Sequence, residues 1–436
     1  MHANRSILTS LSAVLGAAML LAACTGGSTL RTASRPSGQS SVAPDVVFLG
    51  TSQGPASADL ATGDVVVADP AAVPGPDGSR LYSAASAGGS TIVRVLDPAT
   101  GDVLASSTVS GDLSVRVASE SGSSVALMPP RPTGVDAWTP VPRTRTTIVV
   151  ADPNGVAAPR RYHLRGNYEP EAFSLDDAYL FLIHYLPAAH PQAYRVSELY
   201  LATGRTWRVP GRDKTTPPRM PGVRLRQVYA PDGRQLYTLY TNEPSGSTGY
   251  GAYGGSSDWG NGTSGVTFVH VLNLQDGWAY CADLPRGLWD EPAGSEALAV
   301  SPDGHTLYIV DAARGLVAAM NTRTLRVPQM VHVDLGAAAD GRISAQVSAD
   351  GRTLFVGGGG NGGGAIAAID VTTLALRDRW AMPLGVSGLG LSGDGADLVV
   401  ALGDRLLTID PGTGRTLTTV ALAGLGSILR VGTPGV

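Results

Sequence analysis

The sequence predicts an all-β chain whose body is one large β-propeller of four-stranded blades. Three observations lead there. One short turn motif recurs every 44 to 71 residues or so, the spacing of propeller blades. A second turn motif alternates with it. Glycine (56) and proline (30) are abundant and charged residues make up only 16% of the chain, a composition of many turns and short strands rather than long helices.

The first motif is a small polar residue, any residue, Asp-Gly, two variable residues and an apolar run. Its clearest copies are Ser301-Pro302-Asp303-Gly304 and Ser348-Ala349-Asp350-Gly351, followed by Ala230-Pro231-Asp232-Gly233 and Ser392-Gly393-Asp394-Gly395. Weaker copies begin at Gly75, Ser119 and Ser174. Asp-Gly supplies the positive φ of a tight hairpin, and the Asp side chain can bond turn N–H groups. The run that follows, such as Leu307-Tyr308-Ile309-Val310, reads as a buried strand.

The second motif is Asp-x-x-Thr-Gly between two strands, clearest at Asp97–Gly101 and Asp410–Gly414 and looser around Asp59, Asp152, Leu201, Leu274, Asn321 and Asp370. Two alternating hairpins give four strands per unit. A single blade cannot bury both of its faces, so blades must stack in a ring. Seven first hairpins predict seven blades. The extra second hairpin leaves a half-blade at about residues 45–69, expected to close the ring with the C-terminal strand near Ile428 to Val431, because closure removes open edges. Eight blades, with the last split between the termini and one strand short, is the alternative count.

Ser-Pro-Asp-Gly-x-x-Leu-Tyr followed by Asp-x-x-Thr-Gly resembles the YVTN-type β-propeller repeat, and more loosely the quinoprotein-type and lactonase-type propellers. The likeness spans about residues 45–430. It implies the fold and says little of function.

Residues 1–24 read as a processing signal. Arg5 supplies positive charge, Ile7 to Leu21 a short apolar stretch, and Leu21-Ala22-Ala23-Cys24 ends it. This ending resembles the bacterial lipobox. The resemblance implies removal of residues 1–23, a diacylglycerol on the Cys24 thiol and a mature chain beginning at that cysteine. Buried acyl chains hold a membrane at roughly 0.8 kcal/mol per CH₂. Residues 24–44, rich in Gly, Ser, Thr and Pro, read as a flexible tether, and residues 45–436 as the propeller. The expected location is the extracytoplasmic face of a membrane. With Cys24 lipidated, Cys281 has no partner for a disulfide within the chain, so the domain must stand on its core. Hydrophobic residues at 43% allow that.

A net charge of −4 offers no basic field for nucleic acid. Lys214 is the only lysine; with the Ala, Gly and Pro bias, this composition resembles that of a high-GC actinobacterium. A monomer is expected.

Departures from a regular repeat are where function concentrates. The longest is Thr241 to Gly265, with Tyr250, Tyr253 and Trp259 as a candidate binding loop for a sugar or a partner surface. Others are Leu186 to Tyr194 and Pro129 to Pro142, the latter with Trp138. The innermost strand of each blade should precede its Asp-Gly hairpin and line the channel. Reading back from the hairpins places Glu169, Glu171, Arg224, Arg226, Glu296 and Arg342 at one rim as a candidate polar ligand site.

Catalytic strings fail on context. Gly50-Thr51-Ser52-Gln53-Gly54 precedes a hairpin where a nucleophile elbow needs a helix. The glycine runs at 357–364 and 388–393 lead into strands, so no helix N-terminus waits for a phosphate. The histidines lack metal-ligand spacing, and neither catalytic residues, metal nor cofactor is expected. The leading functional expectation is a membrane-tethered binding or scaffold module for a protein or envelope glycan. The resemblance also implies two alternatives: a lactonase-like or quinoprotein dehydrogenase-like enzyme using the channel mouth, and a partner in envelope protein assembly.

Replacing Cys24 with Ala is expected to move the protein from the membrane to the soluble fraction of its host. Membrane retention of C24A on fractionation would refute the lipid anchor.

Overall fold

The computed structural model describes residues 46–432 except 52–53, 70, 133–134, 136–138, 213–219, 221–222, 242–266, 289–294, 337–342 and 361. Cys24, Tyr250, Tyr253, Trp259, Trp138 and Arg342 lie outside the described residues.

The two motifs form the hairpins that the sequence predicts. At Ser301–Thr306, the Asp303 carboxylate accepts from the Ser301 hydroxyl (2.6 Å) and the His305 N–H (2.9 Å), and Gly304 takes φ +71°. The weaker copy at Ser174 turns the same way, with Asp177 in the left-handed position at φ +54°, a conformation Asp tolerates better than most side chains. In the second motif, the Asp410 carboxylate accepts from the Gly412 and Thr413 N–H groups and from the Thr413 hydroxyl, all at 2.9–3.0 Å.

These hairpins fold the chain into eight antiparallel sheets of four strands each. Within blades 2 to 8 the strands run in simple sequence order, and first strands of successive blades touch around the channel. The fourth blade, for example, is Asn167–Phe173, Tyr179–Leu186, Ala193–Tyr200 and Arg205–Arg208, from the channel outward.

The chain is therefore eight-bladed, and the seven-blade expectation is corrected. The first blade takes Val46–Thr51, Gly54–Asp59 and Val65–Ala68 from the N-terminal end and its innermost strand, Leu425–Gly432, from the C-terminal end. That closing blade is complete, not one strand short. The Asp-Gly hairpin always joins the first strand of a blade to the second. In the split blade those two strands come from opposite ends of the chain, so no hairpin joins them. Asp-Gly hairpins number one fewer than blades, whereas every blade has its Asp-x-x-Thr-Gly-type turn.

Among the described residues there is no central core. Buried side chains fall into eight clusters, one at each seam between neighbouring blades. Successive residues of a strand serve opposite seams. In Tyr179–Leu186, Leu180 and Leu182 pack toward the third blade while Phe181 and Ile183 pack toward the fifth. Burial on both faces explains the unbroken apolar runs that follow the Asp-Gly turns.

Strand alternation sorts the connections between two faces. Asp-Gly and Asp-x-x-Thr-Gly turns both lie at one end of the blades, the turn face. Connections from second to third strand, and from one blade to the next, lie at the other, the loop face. All three departures from the repeat, 129–142, 186–194 and 241–265, connect second to third strands in blades three, four and five. They leave and re-enter the sheets at the loop face, on consecutive blades.

Removing residues 425–436 is expected to abolish a single cooperative thermal transition, because Val46–Thr51 becomes an open edge and two seams lose their inner strand. Cooperative unfolding of the truncated chain, followed by circular dichroism, would contradict closure by this strand.

Candidate functional site

Of the six residues predicted at the rim, Arg342 lies outside the described residues and the other five sit on innermost strands near the loop face. Glu169 and Glu171 lie in Asn167–Phe173 of blade four, Arg224 and Arg226 in Val223–Tyr229 of blade five, and Glu296 opens Glu296–Val300 of blade six. The structure joins Glu171 to Arg224. It places Glu169 with three arginines that the sequence reading missed.

Glu169 is almost fully buried and holds a cluster of guanidinium groups. Its Oε1 lies 3.2 Å from Arg116 Nε and 2.9 Å from Arg131 Nη2, and its Oε2 accepts from Arg143 Nη2 at 3.1 Å. The three arginine side chains are only 12%, 13% and 19% exposed. Backbone carbonyls aim them: Pro129 O accepts from Arg116, Thr139 O from Arg131 and Val141 O from Arg143. Every one of those carbonyls belongs to the insertion 129–142. Asn167 fastens this insertion, its Nδ2 donating to Val141 O (2.9 Å) and to Ala188 O (3.1 Å) in the neighbouring insertion. Two departures from the repeat thus meet on the first residue of one inner strand.

Glu171 carries the second half of the network. It pairs with Arg224 Nη1 at 2.5 Å and accepts from Gln227 Nε2 at 2.7 Å. Bulges help to aim these groups. Arg116, Glu171 and Leu225 are each the extra residue where the inner strand slips against its neighbour, a device that redirects side chains. Arg226 is half-buried and bonds the Leu225 carbonyl. Glu296 is buried in register opposite Asp311.

The electrostatics follow from burial. Arg116 is pulled down to about 10, first by desolvation, with Arg131 and Arg143 adding repulsion and only Glu169 opposing them. Around Arg224 desolvation is the largest cause and disfavours charge, but Glu171, Tyr185 and Tyr240 together outweigh it and hold the guanidinium above its ordinary value. Desolvation pushes buried Tyr185, which feels both glutamates, up to about 12. His184, stacked on Tyr168 at 4.1 Å, is lowered to about 4 by burial and by Arg195, whose Nε bonds it. On the turn-face side of the network lies a cavity of about 760 Å³, where Glu171, Gln227 and Gln346 meet apolar walls from Val117, Val228 and Leu389. The cavity runs to the turn face, where Asp77, Pro231 and Ser392 line it.

Signals for the missed residues were present. Arg116 stands three residues before Ser119, as Glu171 stands three before Ser174, so repeat alignment makes them equivalent. Arg131 and Arg143 bracket an insertion that the sequence marks by its length. Cys281 is buried in the seam between blades four and five, its Sγ 3.4 Å from Met220 Sδ. Among the described residues no group of three His, Cys, Asp or Glu side chains is arranged to hold a metal ion.

Comparison with known proteins bears on the fold. No protein-family model and no curated protein matches the chain. Solved structures do. A dihydro-heme d1 dehydrogenase, NirN, in complex with DHE, is similar at 15% identity and a TM-score of 0.51, over 92% of this chain and 77% of that one. Apo AztD from Citrobacter koseri is similar at 10% identity and 0.52, over 89% and 98%. The periplasmic gluconolactonase PpgL of Pseudomonas aeruginosa is similar at 20% identity and 0.42, over 90% and 99%. The chain has a β-propeller fold. At these identities the likeness shows nothing of activity.

Replacing Glu169 with Gln leaves three guanidiniums clustered without their carboxylate. Removing one partner of a buried ion pair is costly, and E169Q is expected to lose about 3 kcal/mol of stability, read as a fall of several degrees in Tm. An unchanged Tm would show that the cluster is hydrated enough to need no counter-charge.

Proposed function

We propose that this chain is a lipid-anchored, extracytoplasmic binding propeller that takes its ligand at the loop-face mouth of the channel. One observation carries the reading. Departures from the repeat on three consecutive blades open on one face, and one of them assembles a buried, charged network at the channel mouth there. The turn face, by contrast, repeats the same two hairpins around the ring. A rigid ring presenting variable loops at one end is a general solution for recognition.

The lipobox likeness at Cys24 and the tether 24–44 support a position at the outer surface of a membrane. The partner in this reading is a protein or glycan of the cell envelope. Catalysis at the same mouth is the rival reading. It draws on likeness to lactonase and dehydrogenase propellers at fold level only, which is an analogy and not a site.

Hydrogen exchange of the full chain, with and without a solubilised envelope extract of the host, tests the reading. Protection is expected in 129–142, 186–194 and 241–265 while the Asp-Gly turns stay unchanged. Protection confined to the turn face, or none anywhere, would overturn it.

A further inference from the structure

We propose that the propeller rests its turn face on the bilayer surface, at the rim of blades one and two, so that the loop face points away from the membrane. This rests on the lipid-anchor reading above and fixes how the anchored domain stands.

The first ground is where exposed apolar side chains gather. Each outer strand begins at the turn face, directly after its Asp-x-x-Thr-Gly-type turn. Val65 opens the outer strand of blade one, Val103 and Leu104 that of blade two, and Leu376 that of blade seven. Leu417 is second in the outer strand of blade eight, and Val156 stands in the turn before that of blade three. Val103, Leu104 and Val156 are more than half exposed. Trp207, on the short outer strand of blade four, extends the arc with a side chain suited to lipid interfaces. Among the described residues two other large apolar side chains are exposed, Leu384 at the loop face and Leu429 on the closing inner strand. Blades five and six contribute none, and in a ring of eight they stand opposite blades one and two. Single exposed apolar residues need no explanation, but an arc of them along one rim marks a contact surface.

Charge is the second ground. Open sheet edges are ordinarily guarded by charged residues or proline. The outer strands of blades eight, one and two are Thr416–Ala421, Val65–Ala68 and Val103–Ser110, and they carry neither. Each of the other five outer strands carries at least one charged residue. Three consecutive edges are therefore unguarded, and the middle one belongs to blade one. Asp59, Asp97 and Asp410 stand in the turns of these same blades, their carboxylates held by turn N–H groups. Apolar side chains carry the contact, and neutral headgroups suit this rim better than anionic ones.

The third ground is where the chain enters the fold. Val46 is in register with Gly432 on one side and with Asp59 on the other, at the turn-face end of blade one. About twenty residues separate it from Cys24, a link that reaches at most about 75 Å even when fully extended. Entry at the turn face presents that face to the anchor. To lay the loop face on the membrane, the link would first have to climb the height of a blade, about 25 Å. Apolar arc, uncharged edges and chain entry thus coincide at blade one. The placement leaves the insertions on blades three, four and five open to a ligand.

Fluorescence quenching of the full lipidated chain, reconstituted sparsely in phosphatidylcholine vesicles, tests the proposal. Single variants L104C, L417C, L384C and R326C are labelled with an environment-sensitive dye; Cys281 is buried and Cys24 is blocked by its lipid. Lipids carrying a nitroxide near the headgroup are expected to quench the dye at L104C and L417C at least threefold more than at L384C on the loop face or R326C on the outer strand of blade six. Replacing half of the phosphatidylcholine with phosphatidylglycerol should reduce that quenching, and so should V103S/L104S read from the dye at L417C. Equal quenching at all four positions, or stronger quenching at L384C, would overturn the proposal. Dye shielding at L104C that follows the protein-to-lipid ratio and not the nitroxide would assign the rim to a second copy of the chain and overturn it too. A chain that floats with vesicles yet shows no preferential quenching would refute this orientation and leave the anchor standing, whereas a chain that does not float would refute both.

Discussion

Everything in this molecule depends on the antiparallel pairing of Val46–Thr51 with Leu425–Gly432. A propeller has no central core, and each blade buries its faces only against its two neighbours. An open row of blades would leave two faces and an inner edge exposed to water. Pairing the two ends of the chain converts the row into a ring in which all eight seams are closed. Phe48 and Leu49, next to each other in the closing blade, show how tightly the ends are tied: one packs into the seam with blade two, the other into the seam with blade eight.

Closure also gives the molecule its two unlike faces. Each blade begins at the channel and ends at the rim with an even number of strands, so every blade starts at the same end. The turn face is then built from local hydrogen bonds: Asp carboxylates accepting from Ser or Thr hydroxyls and turn N–H groups, with Gly, or Asp177 in one case, at positive φ. Such turns leave little freedom for insertion. The second-to-third-strand connections carry no comparable local constraint, and length varies there with little effect on the seams. Chemistry collects on the loop face because that is where the repeat tolerates change.

The charged network at the mouth shows the electrostatic consequence. Its members come from inner strands of neighbouring blades and from a connection between outer elements, held together by Asn167 and by backbone carbonyls. None of these residues is close to all the others along the chain. Their convergence in a region of low exposure raises the energetic stakes of each charge.

The local hairpins, the four-strand unit, the pairing of the chain ends and the places of Glu169, Glu171, Arg224 and Glu296 on innermost strands were legible in the sequence, because turn chemistry and strand alternation act over a few residues. Even the degenerate copies at Ser119 and Ser174 fold as the repeat predicts, since Gly122 and Asp177 can each take the left-handed conformation. Blade number was misread because an Asp-Gly hairpin marks a local connection, and the closing blade is made by strands nearly four hundred residues apart. The partners of Glu169 were missed for the same reason. Arg131 and Arg143 reach it from a connection whose carbonyls at Pro129, Thr139 and Val141 aim the arginines, and the bulges that turn Arg116 and Glu171 toward their partners arise from strand register. The sequence by itself determined turns, strands and repeat, which local conformational energy decides. Ring closure, the common face of the insertions and the pairing of charges belonged to the tertiary structure, because each depends on groups that only the closed ring brings within bonding distance.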